Sequence, residues 1–205
     1  MAGKNAGSNV AIFFAIALIF RGVLMSGSIP CNALTNRYPS RVSESAKTFV
    51  IREAVKEDIP AIHQKIIELA IYEREPDAVE ADESHLREAL FGEKSVAYCH
   101  VAEVDGEIAG IALWFLNYST WKGSAGIYLE DLFVAPQYRG SGIGLALMKT
   151  LARLCVERGY PRFQWWVLDW NEPSINFYKA IGAVPMDEWT VFRLSEEALT
   201  KFASE

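Results

Sequence analysis

Cysteine, histidine and positive charge are all scarce in this chain of 205 residues. Its three cysteines, Cys31, Cys99 and Cys155, show no CxxC spacing, so neither a disulfide framework nor a zinc-ligand pattern is present. His63, His85 and His100 are scattered, and no metal is expected. Lysine and arginine number 20 against 26 acidic residues, a net charge of -6, which argues against nucleic acid because phosphate neutralisation needs clustered cations. Cationic small molecules suit this balance better. Long apolar runs are missing too: Val10 to Phe20 is unbroken for 11 residues, too short to span a bilayer, and Arg21 interrupts its continuation. With 51% hydrophobic and 12% aromatic residues the chain can still bury one sizeable core, which excludes a disordered or collagen-like protein.

Charge divides the chain unevenly. Residues 1 to 46 hold Lys4, Arg21, Arg37 and Arg41 against Glu44, and the rest carries 16 basic and 25 acidic residues, a net -9. The short apolar run resembles the core of a signal peptide more than a transmembrane helix. Three readings of residues 1 to 46 stand side by side: a secretory signal or membrane anchor, an organelle-targeting peptide, or upstream codons with Met25 as the true start. Ser26 to Ser45, rich in Ser, Asn, Pro and Arg, reads as a linker. The folded domain is therefore expected over 47 to 205.

Within it the periodicity predicts a strand at Phe49 to Ile51 and a helix from about Asp58 to Tyr72, with Ile59, Ile62, Ile66 and Leu69 on one face. A second helix over Asp82 to Phe91 stops at Gly92. A strand near Val96 to Val104 meets Asp105-Gly106, a two-residue hairpin signal, and returns as Ile108 to Asn117. Ile127 to Val134 is a further strand and Gly142 to Arg158 a helix. Phe163 to Leu168 reads as a strand before a helix starting near Pro173. Trp189 to Leu194 reads as a final strand, followed by a helix near Glu196 to Phe202. The expected fold class is α/β, a mixed central sheet flanked by helices.

The most informative stretch runs from Tyr128-Leu129-Glu130-Asp131 through Arg139-Gly140-Ser141-Gly142-Ile143-Gly144, an acidic strand, a glycine loop and a helix start. Glycines admit a ligand close to the backbone, and unpaired N–H groups at a helix N-terminus favour an anion such as a pyrophosphate. A Walker loop is excluded because Leu145 and Ala146 follow Gly144, and the GxGxxG spacing fails at Leu145.

This loop, with Trp170-Asn171-Glu172-Pro173-Ser174-Ile175-Asn176-Phe177-Tyr178-Lys179 downstream, resembles the GCN5-related N-acetyltransferase (GNAT) superfamily. Together with Tyr128-Leu129-Glu130-Asp131 it is similar to the diamine (spermidine/spermine) acetyltransferase branch and its thialysine-acetylating relatives, over roughly residues 48 to 205. The resemblance implies the acyl-CoA N-acyltransferase fold and acetyl-CoA as co-substrate. It implies that backbone groups of Leu132 and Val134 hold the pantetheine and thioester, that Arg139, Gly140, Ser141, Gly142, Ile143, Gly144 and Leu145 wrap the pyrophosphate, and that Asn171 and Ser174 contact the cofactor with Tyr178 near its sulfur. Tyr72, Glu73, Glu130 and Glu188 are implied on the amine side, and a homodimer is implied for the assembly.

Chemistry supports these assignments separately. A primary amine with a pKa near ~10 must lose its proton before it attacks, a cost of roughly 4 kcal/mol at pH 7, so a carboxylate base is needed. Glu130 is the first choice, through water, since a strand period of two puts it on the face of Leu132 and turns Asp131 away, leaving Asp131 a supporting or structural role. The Phe133 N–H is assigned to the charge developing on the carbonyl oxygen, as the splayed fourth strand that the resemblance implies would allow. Tyr178, with a phenol pKa near ~10, protonates the departing thiolate. Trp165, Trp166 and Trp170 fit either a groove for the amine or the core, and Glu73 and Glu188 also fit ordinary surface charge.

The expected function is thus transfer of the acetyl group of acetyl-CoA directly onto a primary amine of a small diamine, polyamine or lysine-like amino acid. Rival readings are acetylation of a protein or peptide lysine, and a non-catalytic acetyl-CoA-binding module. A cytoplasmic location is expected unless residues 1 to 46 target or anchor the chain, and no stable membrane partner is expected unless they are retained.

Overall fold

The computed structural model describes residues 48–204, so the expectations about residues 1 to 46 fall outside the described residues. The chain forms β1 (Phe49–Glu53), α1 (Ile59–Tyr72), α2 (Glu83–Phe91), β2 (Tyr98–Val104), β3 (Glu107–Ser119), β4 (Ser124–Val134), α3 (Ile143–Glu157), β5 (Phe163–Trp165), α4 (Glu172–Ala180) and α5 (Glu196–Ser204). The five strands lie in the order β1-β2-β3-β4-β5, antiparallel throughout except for the parallel pair β4 and β5, the mixed sheet expected.

Local chemistry accounts for the elements. Asp82 accepts from Ser84 N at 2.8 Å and His85 N at 3.0 Å, capping α2. Asp105 and Gly106 take φ values of 52° and 84°, the pair of positive angles that a tight hairpin between twisted strands requires. Arg52 binds Asp58 at 2.6 and 2.9 Å and Glu103 at 2.8 Å, fastening β1 and β2 to the turn that starts α1. Each face of the sheet buries a cluster. Trp114, Ile127, Leu129, Ile143, Leu147 and Leu151 fill the α3 side, and Ile59, Ile62, Leu86, Val101, Ile111 and Phe133 fill the α1 and α2 side. His100 is structural, accepting from Trp114 Nε1 at 3.1 Å through Nδ1 in the interior.

Two irregularities position the site. Leu113 pairs with Asp131 but Trp114 pairs with Leu129, so Glu130 is an extra residue in β4, a bulge. Further along, β5 pairs with β4 only over Ile127 to Leu129, so from Glu130 onward the β5 side of β4 is open.

Three expectations are corrected. The strand read over Phe163 to Leu168 ends at Trp165, where the two strands part. Trp189 to Leu194 forms no strand: it pairs with none of the five strands, and Trp189 and Phe192 are 68% and 91% exposed. The period of two that joined Glu130 to Leu132 fails across the bulge. Leu129 and Leu132 both pack on the α3 side, while Phe133 lies on the α1 side, as does Asp131 two residues before it.

Candidate active site

A cavity of about 600 Å³ opens where β4 and β5 part, bounded by the end of α1, the loop after β4, the start of α3 and the first turns of α4. Tyr72, Glu73, Glu130, Leu132, Phe133, Val134, Arg139, Gly140, Gly142, Ile143, Gly144, Leu145, Asn171, Ser174 and Tyr178 all line it, drawn together from separate stretches of the chain. Ser141 stands outside the lining and spends its hydroxyl on Tyr138 O at 2.6 Å. Glu188 is exposed in the irregular segment after α4 and is not brought to the cavity.

The anion end is built from backbone. Gly142 is the N-cap of α3 at φ 90°, and Gly140 sits at φ 77°; a Cβ at either would meet open space, so both glycines are there for their dihedral angles. Because the first turn of a helix has no internal acceptors for its N–H groups, and Gly142 has no side chain to offer, those of Ile143, Gly144 and Leu145 face the cavity's end. A pyrophosphate fits this cradle.

Along the gap the ladder decides which backbone groups are free. Ala135 N–H donates to Ala109 O at 2.9 Å on β3, so by alternation Phe133 also bonds toward β3, whereas Leu132 and Val134 turn their polar groups into the gap. The Phe133 N–H is therefore spent on the sheet, a correction to its expected oxyanion role. Val134 O is reached from the gap side by Arg139 Nε at 3.0 Å. The Arg139 guanidinium lies 4.9 Å from the Tyr72 ring and 5.6 Å from Phe133.

The amine end is acidic. Burial pushes Asp131 up to about 7, with the nearby charges of Glu130 and Glu73 adding to it. Burial also raises Glu73. Tyr178 packs against Trp165 at 5.0 Å and is pushed up to about 12, chiefly by burial and then by Glu73 and Tyr72, so its phenol stays protonated at neutral pH. Glu130 is exposed at the mouth. Glu73 and Glu130, the two carboxyl groups that line the cavity, attract a cation, and Asp131 lies outside the lining. Trp165 and Trp166 line the cavity, while Trp170 packs on Tyr72 at 5.9 Å and carries Arg74 over its ring at 4.5 Å. Asp131, expected in a supporting or structural role, is buried outside the cavity lining, on the α1 side of β4 where the bulge puts it.

Residues 61–183 match the Acetyltransferase (GNAT) family. The chain belongs to that family. Among GNAT proteins it is 41% identical over 165 residues to the thialysine N-epsilon-acetyltransferase of Bos taurus, covering 75% of this chain and 96% of that one. It is 29% identical to the L-ornithine N5-acetyltransferase of Arabidopsis thaliana, over 73% and 85% of the two chains. An integron cassette protein from the mobile metagenome of V. cholerae shares the fold with a TM-score of 0.66 and 30% identity, covering 77% of this chain and 98% of its own. The chain is an acetyltransferase of the GNAT fold, and the glycine cradle beside the parted strands is where its family resemblance and its geometry coincide.

Proposed function

We propose that residues 47–205 form a domain that transfers the acetyl group of acetyl-CoA onto the side-chain amine of a small lysine-like amino acid, with diamines and polyamines as weaker acceptors. The observation that carries this reading is one cavity that joins an anion cradle, lined by Gly140, Gly142, Ile143, Gly144 and Leu145, to the carboxyl groups of Glu73 and Glu130, whose charges the buried Asp131 also feels. The relative named for thialysine, at 41% identity against 34% for one named for spermidine and spermine, supports an amino-acid side chain over a polyamine.

Acetyl-CoA supplies an activated thioester. Leu132 and Val134 offer backbone groups along the gap to pair with the pantetheine arm, and the α3 N-terminus takes the pyrophosphate. Arg139 adds a cation there once it leaves Val134 O. Asn171 and Ser174 close the cavity from the α4 side. The acceptor's ammonium enters beside Glu73 and Glu130, and Glu130 receives its proton through water. The amine nitrogen bonds to the acetyl carbon, the carbon–sulfur bond breaks as Tyr178 gives its proton to the sulfur, and the nitrogen sheds its second proton through water, which restores the phenol. The gap-facing Leu132 N–H takes over the oxyanion role. Cys99 is buried and its thiol is pushed up to about 12 by that burial, which suits direct transfer with no acyl-enzyme.

A homodimer fits the C-terminal segment, where Val184, Met186, Trp189 and Phe192 are 79%, 68%, 68% and 91% exposed and a second copy would cover them. A cytoplasmic location is part of the same proposal, since acetyl-CoA is made inside cells; among the described residues no helix is long and apolar enough to cross a membrane. The test is thiol release from acetyl-CoA with thialysine, lysine, ornithine, spermidine, spermine, putrescine and a lysine peptide as acceptors. Highest kcat/KM with a lysine-like amino acid is expected. A preference for the peptide would overturn the substrate class.

A further inference from the structure

Tyr72 ends α1 beside Glu73, the position that suggests a contact with the amine, yet its hydroxyl and ring engage the cofactor side. The hydroxyl donates to Asn171 Oδ1 at 3.0 Å across 99 residues of chain. Its ring faces the Arg139 guanidinium at 4.9 Å and meets Trp170 at 5.9 Å with a 50° tilt. Trp170 is in turn covered by Arg74, which takes a φ of 70° just after the helix end and lies 4.5 Å over the indole.

Asn171 explains why the hydroxyl matters. It is the N-cap of α4, only 6% exposed, and its Oδ1 accepts from Ser174 N at 3.4 Å, a long bond for a cap. The shorter bond to the same oxygen comes from Tyr72. The side chain that starts α4 is therefore held in its capping pose mainly from α1, and α4 carries Ser174 and, one turn further, Tyr178. Replacing the hydroxyl with hydrogen leaves the ring over Arg139 and against Trp170 but releases Asn171.

We propose that Tyr72 is a positioning residue for the cofactor half of the site, acting through Asn171 and not through the amine. This rests on the functional reading above and deepens it: α1 leads into Glu73 on the acceptor side while Tyr72, its neighbour in sequence, braces the helix that borders the acetyl-CoA site. One stretch of chain thereby serves both substrates with adjacent residues that have different jobs.

Tyr72→Phe in the full chain tests it, with acetyl-CoA affinity measured by calorimetry and the thialysine KM measured at saturating acetyl-CoA. The expected result is an acetyl-CoA Kd raised about fivefold, the size of one neutral hydrogen bond, with the thialysine KM changed less than about twofold. An unchanged Kd would overturn the proposal, whatever the amine KM does. Both constants rising together would mark general loosening and would also overturn it. In a double-mutant cycle, Asn171→Ala should raise the Kd and make Tyr72→Phe silent; a further additive loss would show that the hydroxyl acts by another route. Calorimetry keeps the two readings apart: a wild-type chain that binds acetyl-CoA but acetylates none of the acceptors loses the functional reading while the Kd comparison still decides the role of Tyr72. A wild-type chain that does not bind acetyl-CoA overturns both.

Discussion

Replacing Asp131 with asparagine should make the protein more stable, and increasingly so as the pH rises. The Asp131 carboxyl is largely withdrawn from water on the α1 side of β4, near Glu73 and Glu130, and it is pushed from 3.8 up to about 7. A carboxyl whose folded pKa lies above its unfolded value contributes its full stability below the unfolded pKa and loses it as pH rises through the folded one. Here the loss begins near pH 4 and is complete just above pH 7. A rise of that size corresponds to about 4 kcal/mol, of which about 2 kcal/mol falls between about pH 5.5 and 8.5. Asp131→Asn keeps the shape and removes the ionisation, so the gap in unfolding free energy between variant and wild type should widen by about 2 kcal/mol over that interval. Urea denaturation at about pH 5.5, 7 and 8.5, with both proteins at equal concentration, measures it. A gap that stays constant with pH would refute the reasoning, because it would mean that Asp131 ionises normally in the folded chain.

Tyr178→Phe should lower kcat by about a hundredfold or more while leaving the acetyl-CoA Kd nearly unchanged, because the ring stays packed on Trp165 and only the proton is lost; calorimetry beside steady-state rates checks this. Glu130→Gln should lower kcat/KM for the amine by a similar factor at pH 7, and the deficit should shrink toward about pH 10 as the amine loses its own proton, which a pH profile reads directly. Gly142→Ala, forced to hold φ 90°, should cost about 1–2 kcal/mol and lower the melting midpoint by a few degrees. At Gly144 no positive φ is required and an added Cβ would sit 3.8 Å from Val134, so Gly144→Ala should keep the midpoint and weaken acetyl-CoA binding.

Much of this architecture is legible in residue order because it rests on local rules. The Asp105-Gly106 hairpin, the Asp82 cap and the apolar face of α1 each follow from a handful of neighbouring side chains. The glycine loop is readable for the same reason: Gly140 and Gly142 do take positive φ angles. What stays hidden depends on pairing between distant strands. A bulge at Glu130 shifts the parity of β4 and brings Asp131 to the α1 side, and nothing in the alternation of Leu129 to Val134 announces it. The direction of the Phe133 N–H likewise follows from a ladder whose other half lies on β3, a separate stretch of chain. Trp189 to Leu194 alternates as a strand would, yet it pairs with no strand among the described residues. Glu188 falls in that same exposed stretch, which is why its expected place in the amine site is not realised. The link from Tyr72 to Asn171 spans 99 residues and has no signature at either end.

The most direct test of acetyl transfer to a small amine is to follow the acetyl group itself. The full chain would be incubated with isotopically labelled acetyl-CoA and thialysine, the products examined by NMR, and the intact protein by mass spectrometry. The account predicts the label on the side-chain nitrogen of thialysine, with the mass of the protein unchanged at every time point. Label retained on the protein, or acetyl-CoA bound while thialysine and the other small amines remain unmodified, would contradict it.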